Sequence, residues 1–581
     1  MTRFEKFQRY SVMFSIIILL ILTISPSVGW ITRKSGAVLF KIHGGNKGEF
    51  SQTDYSLEYI VTKDVLQKLL KEQGSDIEIA FGVNQMLCVA GSPSGAKEDS
   101  RKPLVNFCDQ HPNYLPGLAT LVRLRSSGEV KINRDEANDI AETIKSVGTS
   151  TSNSKLPAKL SDPMMLADYD NLCARGERLD PKNAFFPTMR AIGLFEAHRD
   201  EEAWDALDRS ARMTVWNEYT DVEIKCRLKV QRQLEGDLSA IDKTNAAFSV
   251  LMPHYANIRS MSRLVTNIAI QRERAGDFEG GLKARQGIQR ISANMRVNSR
   301  SIIGPLVSLA ILQVASMRPG GAPPPIKTQN VAINRVNHIV KYVKYLKEHG
   351  HADEAEWVNN EFNAGNSLRA IYTAYGNTPA GSFTSFYRLV ILLAAIKFLL
   401  AYVFWSLFFA LVSHLYLNHL KKRQKNGFKS HDKFVTASSF VLFSIVLLTV
   451  GSQHVSVLSR ALAEVTQMSG NPMRGVSESF FQIVVAVALF GTPLFLLCVS
   501  AIYALARRKP FGKETANWMR PTGIISALLL TSTLAVILGY TASEEKKQSK
   551  IADAIIINET QNAAKTVGKP VPGFVIAPPI K

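Results

Sequence analysis

The chain has 581 residues, of which 46% are apolar and 20% charged, a composition that excludes a disordered or fibrous protein. Its formal net charge of +20 does not indicate nucleic-acid binding, because residues 33–385 carry 45 basic and 40 acidic side chains, a net of only +5. The remaining positive charge lies mostly beside long apolar blocks, where it orients membrane helices. We therefore predict an integral membrane protein that contacts membrane lipid and has no nucleic-acid partner.

The first apolar block covers residues 10–32 and follows a basic segment, residues 1–9, that we expect in the cytoplasm. The block is long enough for a membrane anchor, since about 20 helical residues cross the hydrocarbon core. It also fits a cleaved secretory signal, because residues 12–24 have the length of a signal-peptide core and residues 27–29 are small. Both interpretations place the residues that follow outside the cytoplasm.

Residues 33–160 are predicted to form an exported helical region, because apolar residues recur at helical spacing over 61–73 and 114–125. Between these helices, a short alternating stretch predicts a strand. Its apolar residues are Ile77, Ile79, Phe81 and Val83.

Two cysteines in this region, Cys88 and Cys108, are candidates for a disulfide. The loop between them contains several glycines and prolines, so the chain has room to turn back. The alternative is that the exported cysteines are separate buried thiols, which pack as small apolar residues.

Residues 161–385 show helical periodicity with regularly spaced turns. The clearest unit starts with Leu-Asp-Pro-Lys-Asn-Ala at 179–184 and has small residues at Ala191 and Ala203. This pattern resembles the tetratricopeptide repeat, which closes one unit with Leu-Asp-Pro, opens the next with Asn-Ala, and has small residues at these two later places. The chain departs from the family at three positions, with Pro187 for a tryptophan, His198 for a glycine and Val215 for a proline.

Further turns are predicted at Gly236, Gly276 and Gly350. The successive intervals, starting from His198, are 38, 40 and 74 residues. The last interval is twice the others, and the breaker-rich run 318–325 lies near the place of the missing turn. The resemblance implies helical hairpins that stack into a solenoid, since each hairpin covers the apolar face of its neighbour. An ordinary helical bundle with chance spacing is the alternative. The residues predicted to pack or turn the repeats are Pro181, Ala184, Ala191, Leu194, Ala203, Leu207, Gly236, Gly276, Gly350 and Ala355.

A basic stretch lies inside this region, since residues 251–350 hold 15 basic and 4 acidic side chains. It predicts either a face that binds an acidic peptide or anionic lipid head groups, or a solvated helix surface with no ligand. The candidate residues are Arg259, Arg263, Arg272, Arg274, Arg285 and Arg290.

Residues 386–541 are predicted to contain four further membrane spans. The apolar blocks are 389–417, 434–450, 480–506 and 521–541. The loops 418–433 and 507–520 together carry eleven basic and two acidic residues, which places them in the cytoplasm. Five crossings in total then leave three segments outside: 33–385, 452–478 and 542–581. The last is proline-rich near its end, and we expect it to be extended and disordered.

Lys397 is a basic residue well inside the second span. It indicates either an ion or proton path or a side chain that snorkels toward the outer interface.

The sequence contains no motif that predicts a catalytic residue, a cofactor site or a metal site. His349 and His351 stand among carboxylates, but the predicted inter-helix turn explains their polarity. We therefore predict an all-α protein, with an exported solenoid and a five-span helix bundle, in a bacterial cytoplasmic membrane. The expected function is a cell-envelope scaffold or adaptor that binds a protein or peptide, and the oligomeric state stays open. The alternatives are an accessory subunit of a transport or secretion complex and, with the least support, an exported enzyme.

Overall fold

The computed structural model describes most of the chain, and the described residues are helical with no strand among them. One isolated bridge joins Asn183 to Val215. The described residues are 3–25, 28, 31–32, 35, 63–90, 98–126, 130–132, 134, 161–236, 238–248, 250, 252–301, 303–322, 331–376, 384–426, 450, 454–455, 458, 478–507, 511–561 and 577–580.

The helical region 63–376 follows a first helix, α1 (Arg3–Ile24), and contains a 3-10 helix (Pro319–Gly321) and fourteen α-helices among its described residues. They are α2 (Lys63–Gln73), α3 (Ile77–Ala90), α4 (Glu98–Gln110), α5 (Leu115–Arg125), α6 (Pro163–Leu179), α7 (Phe185–Glu196), α8 (Asp200–Arg212), α9 (Thr220–Glu235), α10 (Ala240–Phe248), α11 (His254–Arg274), α12 (Phe278–Asn298), α13 (Ile303–Ala315), α14 (Val331–Glu348) and α15 (Ala352–Gly376). Three long helices complete the chain: α16 (Thr384–Asn426), α17 (Glu478–Arg507) and α18 (Phe511–Gln561).

The strand predicted around Ile77–Ala90 is wrong, because these residues form α3. This helix is apolar on several sides, and it packs against α2, α4 and α9. Ile79, Phe81 and Val83 are all buried. A helix surrounded by neighbours needs no polar face, so its apolar residues can alternate without forming a strand.

The repeat-like unit at 179–212 forms a helical hairpin of α7 and α8. Asn183 joins its two ends, because its Oδ1 accepts hydrogen bonds from the backbone N–H groups of Phe185 (3.1 Å) and Asn217 (2.9 Å). Ala184, Ala191 and Ala203 are completely buried, which allows the two helices to approach closely. Leu194, Leu207 and, on α15, Ala355 are buried as well, whereas Pro181 is exposed.

The predicted turn positions share a positive φ. His198 has a φ of 57°, and Gly236, Gly276 and Gly350 have φ values of 76°, 87° and 84°. A positive φ is the conformation that reverses the chain after a helix, and it favours glycine because a Cβ is strained there. Gly320 and Gly321, in the breaker-rich run, also have positive φ.

The hairpins are not arranged in the simple order of a solenoid, so the solenoid prediction is not confirmed. The α7–α8 hairpin contacts α11 and α12 directly, and α9 packs against α3 and α5 instead of lying between these hairpins. A solenoid requires each hairpin to contact its sequence neighbours. The helical region therefore has a branched packing order.

Three helices are long and apolar enough to cross a membrane among the described residues, not the five that we predicted. The candidate spans are Lys6–Ile24 in α1, Arg388–Lys422 in α16 and Lys513–Ile557 in α18. Of the two remaining blocks, 434–450 lies outside the described residues except for Val450. The other, 480–506, forms most of α17, whose described residues supply only two shorter apolar stretches.

The three candidate spans lie side by side with a defined direction. At one end, Leu22 of α1, Leu393 of α16 and Leu538 of α18 belong to one apolar cluster. At the other end, Arg9 on α1 and Arg520 on α18 both lie close enough to His414 of α16 to interact with it electrostatically. Helix α1 is therefore parallel to α18, and α16 is antiparallel to both.

The described residues 454, 455 and 458 do not lie beyond the end of α16, as the predicted outer loop 452–478 requires. The described residues His454 and Leu458 pack instead against the middle of α16, around Trp405. The indole Nε1–H of Trp405 donates a 3.0 Å hydrogen bond to His454 Nδ1. Burial of this polar pair within the bundle keeps the start of the segment at mid-depth.

The prediction that the chain is extended and disordered from residue 542 is wrong for residues 542–561, which are helical. Helix α18 continues to Gln561 and has 51 residues, a length of about 75 Å at 1.5 Å per residue. Only about 30 Å is needed to cross the hydrocarbon core. The excess extends to the helical region, where α18 packs against α9 and α10.

The contact of α16 with α18 depends on Gly523. A Cβ at this position would lie 2.6 Å from the carbonyl oxygen of Ser406 and 3.1 Å from the Cβ of Ala410. We expect Gly523→Ala to destabilise the bundle by roughly 1–3 kcal/mol, because the backbone of α16 has to move. The melting temperature of the detergent-solubilised chain measures this loss. Gly539→Ala is the matched control, since a Cβ there meets nothing within 4 Å; equal effects of the two variants would contradict the close approach.

Candidate functional site

The predicted basic face is not a continuous surface. Arg285 and Arg290 are buried, so their assignment to an exposed binding face is wrong. Arg272 and Arg274 are exposed at the end of α11, but Arg272 lies over the ring of Trp204 and Arg274 donates to the carbonyl of Gly321. The other two candidates lie one turn apart on α11. Arg259 is exposed, and Arg263 is half-buried.

Buried arginines of α12 form ion pairs with glutamates of neighbouring helices. Arg285 pairs with Glu273 of α11, with 2.6 Å between Nε and Oε1. Arg296 pairs with Glu361 of α15, where its Nη2 donates to Oε2 at 3.0 Å. Arg290 makes the same kind of pair with Glu354, also on α15. Charged groups enter a protein interior only when paired in this way, and the pairs set how α12 is placed against its neighbours.

A second buried cluster surrounds Glu218, between α8 and α9. Its carboxylate accepts from Tyr255 Oη (2.8 Å) and from Trp216 Nε1, and it lies 3.2 Å from His254 Nε2. The hydroxyls of Ser299 and Ser301 contact Tyr255 Oη. All of these side chains are buried. Glu, His, Tyr and Ser are common catalytic types, but in this cluster none of these side chains is exposed to solvent.

Burial controls the protonation of this cluster. Desolvation lowers the pKa of His254, and the ring is neutral at pH 7. Its Nδ1 has no hydrogen-bond partner among the described residues, so a proton there would be a buried donor without an acceptor. Burial alone would raise the pKa of Glu218, but the His254 ring and the hydrogen bonds from Trp216 and Tyr255 hold it below its ordinary value.

The disulfide predicted between Cys88 and Cys108 is not present, because both thiols are free and buried. They share one apolar cluster with Cys226. Burial raises the pKa of Cys88 to about 11 and those of Cys108 and Cys226 to about 12. These thiols therefore remain protonated, which agrees with the alternative of buried packing residues.

The remaining candidates have separate positions. Lys397 is half-buried on α16, next to Ile396, which belongs to the apolar cluster at the α10 end of the bundle. His349 and His351 flank Gly350 in the turn between α14 and α15. His351 Nε2 lies 2.9 Å from Glu279, and His349 Nδ1 lies 2.8 Å from the carbonyl of Tyr345. The described part of the chain contains no group of three or more residues that could hold a metal ion.

The junction of α18 with α10 is a polar site that the sequence did not reveal. Glu545 of α18 accepts a hydrogen bond from the backbone N–H of Ala240 (2.5 Å). Lys243 donates to Ser549 (2.9 Å) and pairs with Asp553 (2.8 Å). These contacts attach the first turn of α10 to the part of α18 that extends beyond the bundle.

A last contact lies on α12 and α15, where the end of the chain meets the helical region. The carbonyl of Pro578 accepts a hydrogen bond from Arg290 Nη2 (3.1 Å), and Ala577 packs against the apolar cluster that includes Trp357. Sequence reasoning missed both this contact and the buried ion pairs. The sequence did contain a signal for the ion pairs. Residues 352–361, which follow the basic stretch, contain four acidic residues and no basic ones.

Comparison of the chain with protein-family models, with curated proteins and with solved structures finds no match.

The neutral, buried state of His254 predicts a loss of stability in acid. Below a pH of about 6.5 the unfolded chain binds a proton on this histidine, while the folded chain does not until a lower pH, so unfolding is favoured as pH falls. We expect the melting temperature to drop between pH 7.5 and 5.5, and to drop less in His254→Gln. His198→Asn, which changes an exposed histidine, is the control. A wild-type slope in His254→Gln would contradict a neutral ring.

Because Arg296 and Glu361 form a buried ion pair, we expect the effects of substituting them on the free energy of unfolding to be non-additive. We expect Arg296→Met to cost about 3–5 kcal/mol, because it leaves Glu361 buried and unpaired. The double variant Arg296→Met/Glu361→Leu should recover most of this loss when both are measured by denaturant unfolding. Lys344→Met, in the exposed pair with Glu348, should change little. Additive losses at positions 296 and 361 would show that the pair is not coupled.

Proposed function

We propose that this protein is a membrane-anchored scaffold or adaptor of the cell envelope, whose helical region is exported and binds a protein or peptide partner. The bundle of α1, α16, α17 and α18 supplies the anchor. The helical region supplies the binding surface, in the manner of proteins built from stacked helical hairpins. Its likeness to tetratricopeptide repeats belongs to this proposal.

The observation that carries the proposal is the continuity of α18. One helix passes from the apolar block 521–541 into hydrogen bonds with α10, so the helical region is held at a fixed position relative to the bundle. The positive residues of the loops 418–433 and 507–520 put the opposite end of the bundle in the cytoplasm. A rigid attachment outside the membrane is what a scaffold requires. The side chains of the Glu218–His254 cluster are all buried, so the proposal assigns this cluster to packing and not to catalysis.

A second candidate is an accessory subunit of a transport or secretion complex. The Trp405–His454 pair supports it, since polar side chains inside a membrane are costly and commonly functional. In this case the partner would contact the bundle.

Photo-crosslinking distinguishes the two candidates. A photoreactive amino acid is placed at Met164 or Ile303 of the helical region, which are exposed apolar positions, or at Leu415 or Leu505 of the bundle. After irradiation of intact cells, we expect discrete protein adducts from the first two positions, identified by mass spectrometry. Adducts from the bundle positions alone would favour the accessory subunit. Lipid adducts alone at all four positions would contradict both candidates.

A further inference from the structure

The described residues nearest the C-terminus, 577–580, lie on a defined surface of the helical region. Ala577 packs against an apolar cluster of α12, α14 and α15. The buried residues of this cluster are Leu282, Ala293, Tyr342, Leu346, Ala355, Trp357 and Val358. Ala577, Pro578 and Ile580 are half-buried, whereas Pro579 is exposed. The contact therefore combines packing on an apolar cluster with the hydrogen bond from Arg290 to Pro578.

Arg290 is held in place by contacts with α15 that do not involve the tail. Its Nη1 and Nη2 donate to the two carboxylate oxygens of Glu354 at 3.0 and 2.6 Å, and Gln286 donates to the same carboxylate at 3.2 Å. The guanidinium carbon lies 3.8 Å from the ring centroid of Trp357. Because the bidentate pair with Glu354 neutralises the charge, the site offers an ordered donor with little net charge. Such a donor suits a neutral backbone carbonyl better than a carboxylate.

A proline-containing segment suits this surface because proline lacks a backbone N–H and has a restricted φ. Pro578 and Pro579 have no backbone N–H, so they can be covered without leaving a buried donor unpaired. Their restricted φ also lowers the entropy lost when an extended segment binds. The site supplies one donor and an apolar surface, and the segment supplies one carbonyl and apolar side chains.

We propose that this surface of α12 and α15 is a docking site for an extended, proline-containing peptide segment, and that residues 577–580 of the same chain are its resident, displaceable ligand. The inference deepens the proposed function and rests on it, since it names the class of partner segment. The tail contact is small and follows fifteen residues after Gln561, so it depends on the high effective concentration of a tethered ligand. A partner with a similar segment binds only when the tail leaves the site.

Binding of a labelled peptide in trans tests the proposal. The probe is a fluorescein-labelled synthetic peptide of residues 570–581, and fluorescence anisotropy is measured with the detergent-solubilised full chain and with a variant that lacks residues 577–581. We expect the shortened variant to bind at least tenfold more tightly than the full chain, in which the site is occupied. A peptide with Ala577→Glu should bind at least tenfold more weakly, because a charge would have to pack against the apolar cluster. A scrambled peptide is the control.

A second variant guards against an effect of truncation on folding. The full-length chain with Ala577→Glu should release its own tail and bind the unmodified peptide as the shortened variant does. Equal affinity of the full and shortened chains, or binding that ignores Ala577→Glu in the peptide, would overturn the docking site. Crosslinking at Met164 and Ile303 does not involve this surface. Partner adducts there without peptide binding would therefore overturn this inference and leave the proposed function standing.

Discussion

The continuity of α18 is the constraint on which the arrangement of this protein depends. Its apolar part packs against α1, α16 and α17, and its polar extension packs against α9 and α10. Because a helix satisfies its own backbone hydrogen bonds, it can pass from lipid to water without a break. A helix also transmits its orientation along its length. The position of the helical region over the bundle is thereby set by one stiff element rather than by a linker.

The helical region uses a different means to place its own helices. Apolar contacts among helices are tolerant of small shifts, whereas a bidentate Arg–Glu pair accepts only one geometry. Arg290 and Arg296 on α12 each pair with a glutamate of α15, and Arg285 pairs with Glu273 of α11. The desolvation of both charges offsets much of the attraction between them, so such pairs select one arrangement more than they add stability. The same pair that positions α15 also prepares Arg290 for the end of the chain.

Several features of the fold were predictable because they are local. The reversal of the chain at Gly236, Gly276 and Gly350 follows from the tolerance of glycine for positive φ. His198 also has a positive φ, in the turn between α7 and α8, where the sequence pattern led us to expect glycine. The apolar blocks of α1, α16 and α18 were recognisable from length and composition alone. The strand expected in α3 was wrong, since periodicity does not separate a strand from a helix buried on several sides.

The sequence by itself determined the helical class, the turn positions and the apolar helices, because backbone conformation and hydrophobicity act over a few neighbouring residues. Only the tertiary structure decided which charges face water. Arg285 and Arg290 belong to a stretch with a large positive excess, yet both are buried, because glutamates 12 and 64 residues away lie beside them. The tertiary structure likewise brought α18 to α10 and Pro578 to Arg290, across 305 and 288 residues. Such pairs depend on packing between distant helices, and the energy of each contact becomes available only when the intervening chain has folded.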